Sequence, residues 1–262
     1  MTVRKGFLLN ALLKENFFPL QKKKKEELPP VFSSSALTIA VAEDVRAFKL
    51  SSDRKKAGFD AIQYKITRFN NVPRLLSIPH PKPYIDICFE IFDNWNKIKH
   101  ICSNQNSLIC PRRHEDGRTI IMDYEASLER RNRYYESAFG KKFLARADIA
   151  NCFPSIYSHA LPWALVGFTY AKNNHTPSEW FNKIDKFFRA CSRNETAGVP
   201  IGPAISNIAC EIILERIDKN LRNKFKYVRF IDDYTAYCKT HAEAEEFIRQ
   251  LSLELMKYKL NL

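Results

Sequence analysis

Residues 227–239 read YVRFIDDYTAYCK. Two adjacent carboxylates, Asp232 and Asp233, stand between two short runs rich in apolar, β-branched and aromatic residues, the pattern of a β-hairpin. Like charges side by side repel, and a carboxylate buried without a partner loses its hydration. On its own the pair reads as a polar surface turn, the ordinary use of Asp between strands. The rest of the chain changes that reading.

Upstream, KKFLARADIANCFPSIYSHALPWAL predicts a strand over 143–148, closed by Asp148, and a helix beginning near Pro154 and Ser155. An Asp at a strand end is often only a helix cap. A single antiparallel sheet, however, can bring Asp148 together with the Asp232–Asp233 tip. Clustered carboxylates need a cation, and oxygen ligands suit Mg²⁺, which keeps several waters and takes further ligands from substrate phosphates. Two such ions would activate an attacking 3′ hydroxyl and stabilise a leaving pyrophosphate.

Composition narrows the partners. The chain has 262 residues, 45% of them hydrophobic, enough for one large domain or two closely packed lobes. Its 42 Lys and Arg against 29 Asp and Glu give a formal charge of +13, which points to a polyanion. No stretch approaches the roughly 20 apolar residues that span a bilayer, and the N-terminus lacks a signal-cleavage pattern. The expectation is a cytoplasmic protein with no membrane partner. Seven dispersed cysteines without a CxxC pair argue against disulfides and zinc, and no Gly-rich phosphate loop occurs.

Along the chain, residues 1–20 predict an amphipathic helix, followed by the lysine run Lys22 to Lys25 and a Pro/Ser linker to residue 35. Residues 84–100 space Ile85, Cys88, Phe89, Phe92, Trp95 and Ile98 as a core-facing helix. The next stretch is crowded with arginines, among them Arg112, Arg113, Arg118, Arg130, Arg131 and Arg133, around a turn at Asp116 and Gly117. That density reads either as a phosphate-facing surface or as a solvated helix face balanced by Glu125 and Glu129. A further helix is expected over about 177–192. AGVPIGPAISNIACEIILERIDKNL predicts a Gly/Pro loop opening a long helix, and the hairpin and a last helix follow.

Taken together, FLARADIANCFPSIYSH, GVPIGPAISNIACEIILERID and YVRFIDDYTAYC resemble the three palm motifs A, B and C of reverse transcriptases, in that order. The closest likeness is to the bacterial abortive-infection and other defence-associated members, which LPPVFSS and SIPHPKPY also resemble. The resemblance implies an α+β right-hand polymerase: an N-terminal helix and linker over 1–35, mainly helical fingers over 36–140, and a palm over 141–262, with the thumb not present in this chain. It implies Asp148 and Asp232 as the metal-binding catalytic pair, Asp233 as their less exacting companion, and the Ile149 backbone carbonyl as a further metal ligand. Phe153 falls where the family places the aromatic gate against a ribose 2′ hydroxyl. Gly202 and Pro203, with Gly198, Pro200 and Ser206, match the loop beneath the nucleotide, and Arg118 is the best candidate for the triphosphate. The loop carries Ile201 where group II intron enzymes have Gln, and the hairpin has Phe230 where many relatives have Tyr.

The implied cofactor is a pair of Mg²⁺ ions, with Mn²⁺ as the alternative, and the implied partners are dNTPs and RNA or DNA. A homo-oligomer or a helical partner would replace the thumb. The implied function is templated, untemplated or protein-primed DNA synthesis in antiphage defence. The competing readings are a non-catalytic nucleic-acid scaffold and a conventional intron or retron enzyme.

Overall fold

The structure is a computed structural model describing residues 3–18, 32–67, 73–122 and 127–262. The lysine run Lys22 to Lys25, Arg68 and Glu125 lie outside the described residues. The chain begins with α1 (Lys5–Asn10), which continues as one π-helical turn, Ala11–Glu15. The predicted helix over 1–20 is therefore short. It ends at Asn16, whose side chain bonds away from the helix, donating to Ile120 O at 2.9 Å and accepting from Thr119 N at 2.7 Å. Leu8, Leu9, Leu12 and Leu13 are buried, and the Tyr84 hydroxyl donates to Leu12 O at 2.6 Å, which seats this segment in the core.

Two short helices follow, α2 (Ile39–Ala47) and α3 (Ser52–Ala57), whose N-caps are the Thr38 and Ser51 hydroxyls. A two-stranded antiparallel sheet, β1 (Ile62–Thr67) and β2 (Pro73–Ile78), comes next. This hairpin was not expected within the mainly helical fingers region over 36–140. Its strands pair outside the palm sheet, and β1 buries none of its side chains, so no clean alternation marks it in the sequence. The core helix appears as α4 (Pro81–Asp93), started by Pro81 after the His80 cap, then α5 (Trp95–Ile98) and a 3₁₀ turn, Lys99–Ser103. Next in order are α6 (Ser127–Ala138), β3 (Phe143–Asp148), α7 (Cys152–Ser155), α8 (Ala160–Val166), α9 (Phe168–Asn173), α10 (Trp180–Ala190), α11 (Ala204–Leu221), β4 (Tyr227–Phe230), β5 (Asp233–Cys238) and α12 (His241–Met256).

The strand predicted over 143–148 is β3, residue for residue. The helix expected near Pro154 is only the four-residue α7; the chain then breaks and resumes as α8. β3, β5 and β4 form an antiparallel sheet with β5 in the centre. Register and alternation give it two faces. Ala145, Tyr227, Arg229, Tyr234 and Ala236 point inward and are buried, against α11 and α12. Leu144, Arg146, Asp148, Asp233 and Thr235 lie on the other face.

An arginine on the inward face of a strand requires compensation. Arg229 is fully buried; its guanidinium donates to Glu211 at 2.8 and 3.0 Å and to Asp218 at 2.8 and 3.1 Å, both on α11. It also donates to the Ile231 carbonyl at 2.8 Å. Asp218 accepts from Asn104 and from the Tyr227 hydroxyl, and Glu211 from Ser107, so both carboxylates are served by neutral donors as well. The Arg229 backbone bonds Asn106 O and Leu108 N, stitching segment 104–108 along the free edge of β4. Breaking a buried pair by removing one partner leaves an uncompensated charge and costs about 3–5 kcal/mol. Arg229→Ala should lose stability of that order in urea unfolding monitored by circular dichroism; a loss below about 1 kcal/mol would show that the cluster is dispensable.

Candidate active site

The β4–β5 turn carries the Asp232–Asp233 pair on a strained backbone. Ile231 adopts φ 57°, a left-handed conformation that a β-branched residue rarely takes. Two bonds hold it there: Arg229 grips the Ile231 carbonyl from below, and Ile149 N donates to Asp232 O at 3.3 Å, linking the end of β3 to the turn. Such strain persists only where the surroundings over-determine it, and it gathers at functional sites.

Asp148 stands directly opposite Asp233 in the β3–β5 register. Side chains so paired lie on one face about 5 Å apart at Cβ. Burial first, and the Asp148 charge second, push the Asp233 carboxyl above the usual carboxylate range, while Arg146 pulls it down. The two acids therefore share one electrostatic environment. Asp232 is half-buried in the turn, and the register pairs Asp233 with Asp148. Period-2 alternation sends residue 233, the first of β5, to the side occupied by Asp148.

Both acids open into a cleft of about 420 Å³ between the outer sheet face and α6. Arg146 lines it from the sheet and Arg130, Arg133 and Tyr134 from the helix, with Phe230 and Tyr237 as apolar walls. The cleft thus combines carboxylates with guanidinium groups, suited to a ligand that carries phosphates and cations together. Of the arginine cluster noted in the sequence, Arg130 and Arg133 reach it.

Several expected nucleotide contacts lie elsewhere. Arg118 is fully buried and fastened to Asp116 at 2.6 and 2.7 Å, so its guanidinium serves the 112–119 turn and is not presented to the cleft. This corrects the expectation of a triphosphate ligand; an Arg two residues from an Asp in a tight turn closes on it locally. Phe153 is 8% exposed and belongs to the core, and its carbonyl accepts from Val199 N, bracing motif A against the motif B loop. The position of an accessible gate is not what its ring occupies. Ile149 is buried.

Gly202, at φ 130°, and Pro203 form the N-terminal entry of α11; Ile201 O accepts from Ser77 of β2, and Ala204 N donates to Asn16 O. The stretch 197–201 lines a separate cleft of about 570 Å³ facing Gln63, Leu75 and Ser77 of the fingers hairpin. Among the described residues no group of three or more His, Cys, Asp or Glu is arranged to hold a metal. Sequence reasoning missed Arg146 and Arg229; the alternation of β3 and β4, which places the first outward and the second inward, was the signal available.

Residues 92–262 match the protein family described as reverse transcriptase (RNA-dependent DNA polymerase). The chain belongs to that family. Among solved structures, this reverse transcriptase chain is similar to a telomerase from Candida albicans in complex with a fragment of telomeric RNA, at 12% identity and a TM-score of 0.46, over 87% of this chain and 45% of that one. It is also similar to a partial Cas6-RT-Cas1–Cas2 complex, at 14% identity and a TM-score of 0.33, over 84% and 40%. The chain spans less than half the length of either. Comparison with curated proteins returns no match.

Asp148→Asn removes the charge facing Asp233, and the Asp233 carboxyl should then titrate at lower pH, though burial keeps it above the usual range. The sign follows from the raised folded-state pKa: repulsion opposes folding while both acids are ionised and disappears as pH falls through that value. Carbon-detected NMR titration of Asp233 measures it, and an unmoved or raised midpoint would show that the two acids are not coupled.

Proposed function

We propose that this chain is the catalytic module of an RNA-directed DNA polymerase, transferring a nucleotide from a dNTP to a 3′ hydroxyl. The supporting observation is the Asp148–Asp233 register pair opening into a cleft that also holds Arg130, Arg133 and Arg146. The donors fit divalent metal: two carboxylates facing each other, with Asp233 raised by burial and by the Asp148 charge, offer the oxygen ligands that a hard cation such as Mg²⁺ or Mn²⁺ takes. Asp148, Asp232 and Asp233, with the Ile149 carbonyl, would hold two such ions. Bound there, they would lower the pKa of the attacking hydroxyl and stabilise the pyrophosphate as it leaves.

The chain's own side chains have complementary tasks. Arg146, two residues before Asp148 on the same face of β3, lines the cleft and would balance triphosphate charge from the sheet side. Arg130 and Arg133 would do so from α6, making the cleft width dependent on that helix. The Ile149–Asp232 bond would keep the two acid-bearing strand ends from separating as charge moves. The resemblance of the PIGP loop supports a defence-associated polymerase, and the dispersed free thiols are compatible with a reducing cytoplasm.

Asp148→Asn and Asp232→Asn should each reduce Mg²⁺-dependent dNTP incorporation by at least about a hundred-fold, since loss of several kcal/mol of charge stabilisation is expected. Asp233→Asn should lose less. Full incorporation by the Asp148 variant would overturn the site assignment, and no incorporation by the unaltered protein would favour a non-catalytic nucleic-acid scaffold.

Protein priming has one structurally favoured candidate. Tyr134 is 48% exposed and lines the cleft that contains Asp148 and Asp233, whereas Tyr234 and Tyr237, in the same lining, are buried. Incubation with labelled dNTP should leave a covalent adduct that survives denaturing electrophoresis and is absent from Tyr134→Phe. An adduct undiminished in that variant would exclude Tyr134 as the primer.

A further inference from the structure

A second cleft, of about 280 Å³, shares no lining residue with the palm cleft. It lies among α2, α3, the start of α4 and the end of α10, and its lining includes Arg46, Lys49, Arg54, Lys55, Lys82 and Lys186. Among the described lining residues the sole carboxylate is Asp86, which already takes Lys82 at 2.8 Å and Arg46 at 3.8 Å. Lys49, Lys55 and Lys186 are exposed and make no ion pair among the described residues. Unpaired lysines around one concavity repel one another, and an anion removes that repulsion.

An independent observation concerns the aromatic residues. Phe48, the residue that ends α2, is 71% exposed at the rim, an unfavourable placement for a ring in water. On the cleft wall Phe59 is already packed, with the Arg54 guanidinium at 4.3 Å from its centroid and the His80 ring at 4.1 Å. The wall is thus a cation–aromatic stack, and Phe48 supplies an open face beside it. Strand-binding grooves are built this way: lysines track the phosphates and an exposed ring stacks a base. The position is also rigidly framed. Gly58, at φ 69°, lets the chain pass so close to the turn after α10 that a Cβ there would lie 2.7 Å from Asn194 N, and the Asn194 side chain donates to Lys55 O and Lys56 O.

We propose that this cleft is a holding site for single-stranded nucleic acid, with Phe48 stacking a base and Lys49, Lys55 and Lys186 contacting phosphates. The site is independent of polymerisation, so its test omits dNTP and metal ion. Binding of a fluorescent oligothymidylate is measured by anisotropy over a series of salt concentrations. Phe48→Ala should weaken affinity roughly ten-fold, as loss of one base–aromatic stack does. Replacement of all three lysines by Ala should flatten the dependence of log affinity on log salt by roughly 2, at about 0.7 per phosphate contact on a single strand. All four side chains are exposed, so these variants should melt as the unaltered protein does.

A second arm needs no variant: the same oligonucleotide carrying 5-iodouracil is photo-crosslinked to the unaltered protein, and the adduct is mapped to Phe48. Crosslinks confined to the palm cleft overturn the proposal. So does unchanged affinity in Phe48→Ala, which would leave an unspecific basic patch, and so does an unaltered salt slope in the lysine variant.

Discussion

The Arg229 guanidinium, buried between Glu211 and Asp218, is the interaction on which the palm depends. A charge placed there is tolerated only because every direction is met: two carboxylates from α11, the Ile231 carbonyl from the turn, and backbone bonds to Asn106 and Leu108 on either side. Two acids against one base leave negative charge in excess, and burial accordingly raises the Glu211 carboxyl against the pull of Arg229. Replacing such a cluster with apolar side chains often leaves stability unharmed. Its contribution here is geometric: it binds the motif B helix, the motif C strand and segment 104–108 at one point, and that point lies directly beneath the acidic turn.

From that anchor the site follows by alternation. Arg229 points inward, so Phe230 points outward; Ile231 and Asp232 take the turn, and Asp233 begins the return strand on the outer face, opposite Asp148. The strain at Ile231 accompanies a tight reversal at this position, and the network absorbs it. The same sheet therefore has two chemistries. Its inner face is core, closed by α11 and α12, and its outer face gathers acids and arginines under α6.

Much of this could be read from the chain. β3 and the two strands of the hairpin declare themselves through short β-rich runs ended by polar residues, and α11 through a Gly/Pro entry followed by a long apolar helix. What could not be read had local signals that pointed two ways. β1 buries none of its side chains and β2 buries the adjacent Leu76 and Ser77, so neither alternates cleanly. Arg118 looked like a free phosphate ligand because its neighbour Asp116 was read as a turn former and not as its partner. Phe153 has the spacing of a gate but the burial of a core residue, and spacing does not report burial.

The sequence by itself determined the family's three motifs, the two acid-bearing segments and the basic balance, because these are properties of residue type and order along the chain. Only the tertiary structure decided which acids face each other, that Arg229 is a buried brace, that Arg130, Arg133 and Arg146 are the cleft's cations, and that Lys49, Lys55 and Lys186 meet beside Phe48. Those are pairings between segments far apart in the chain. Whether a given arginine ends beneath a turn or above a cleft depends on strand register and helix packing, which burial of the whole core sets and no single stretch encodes.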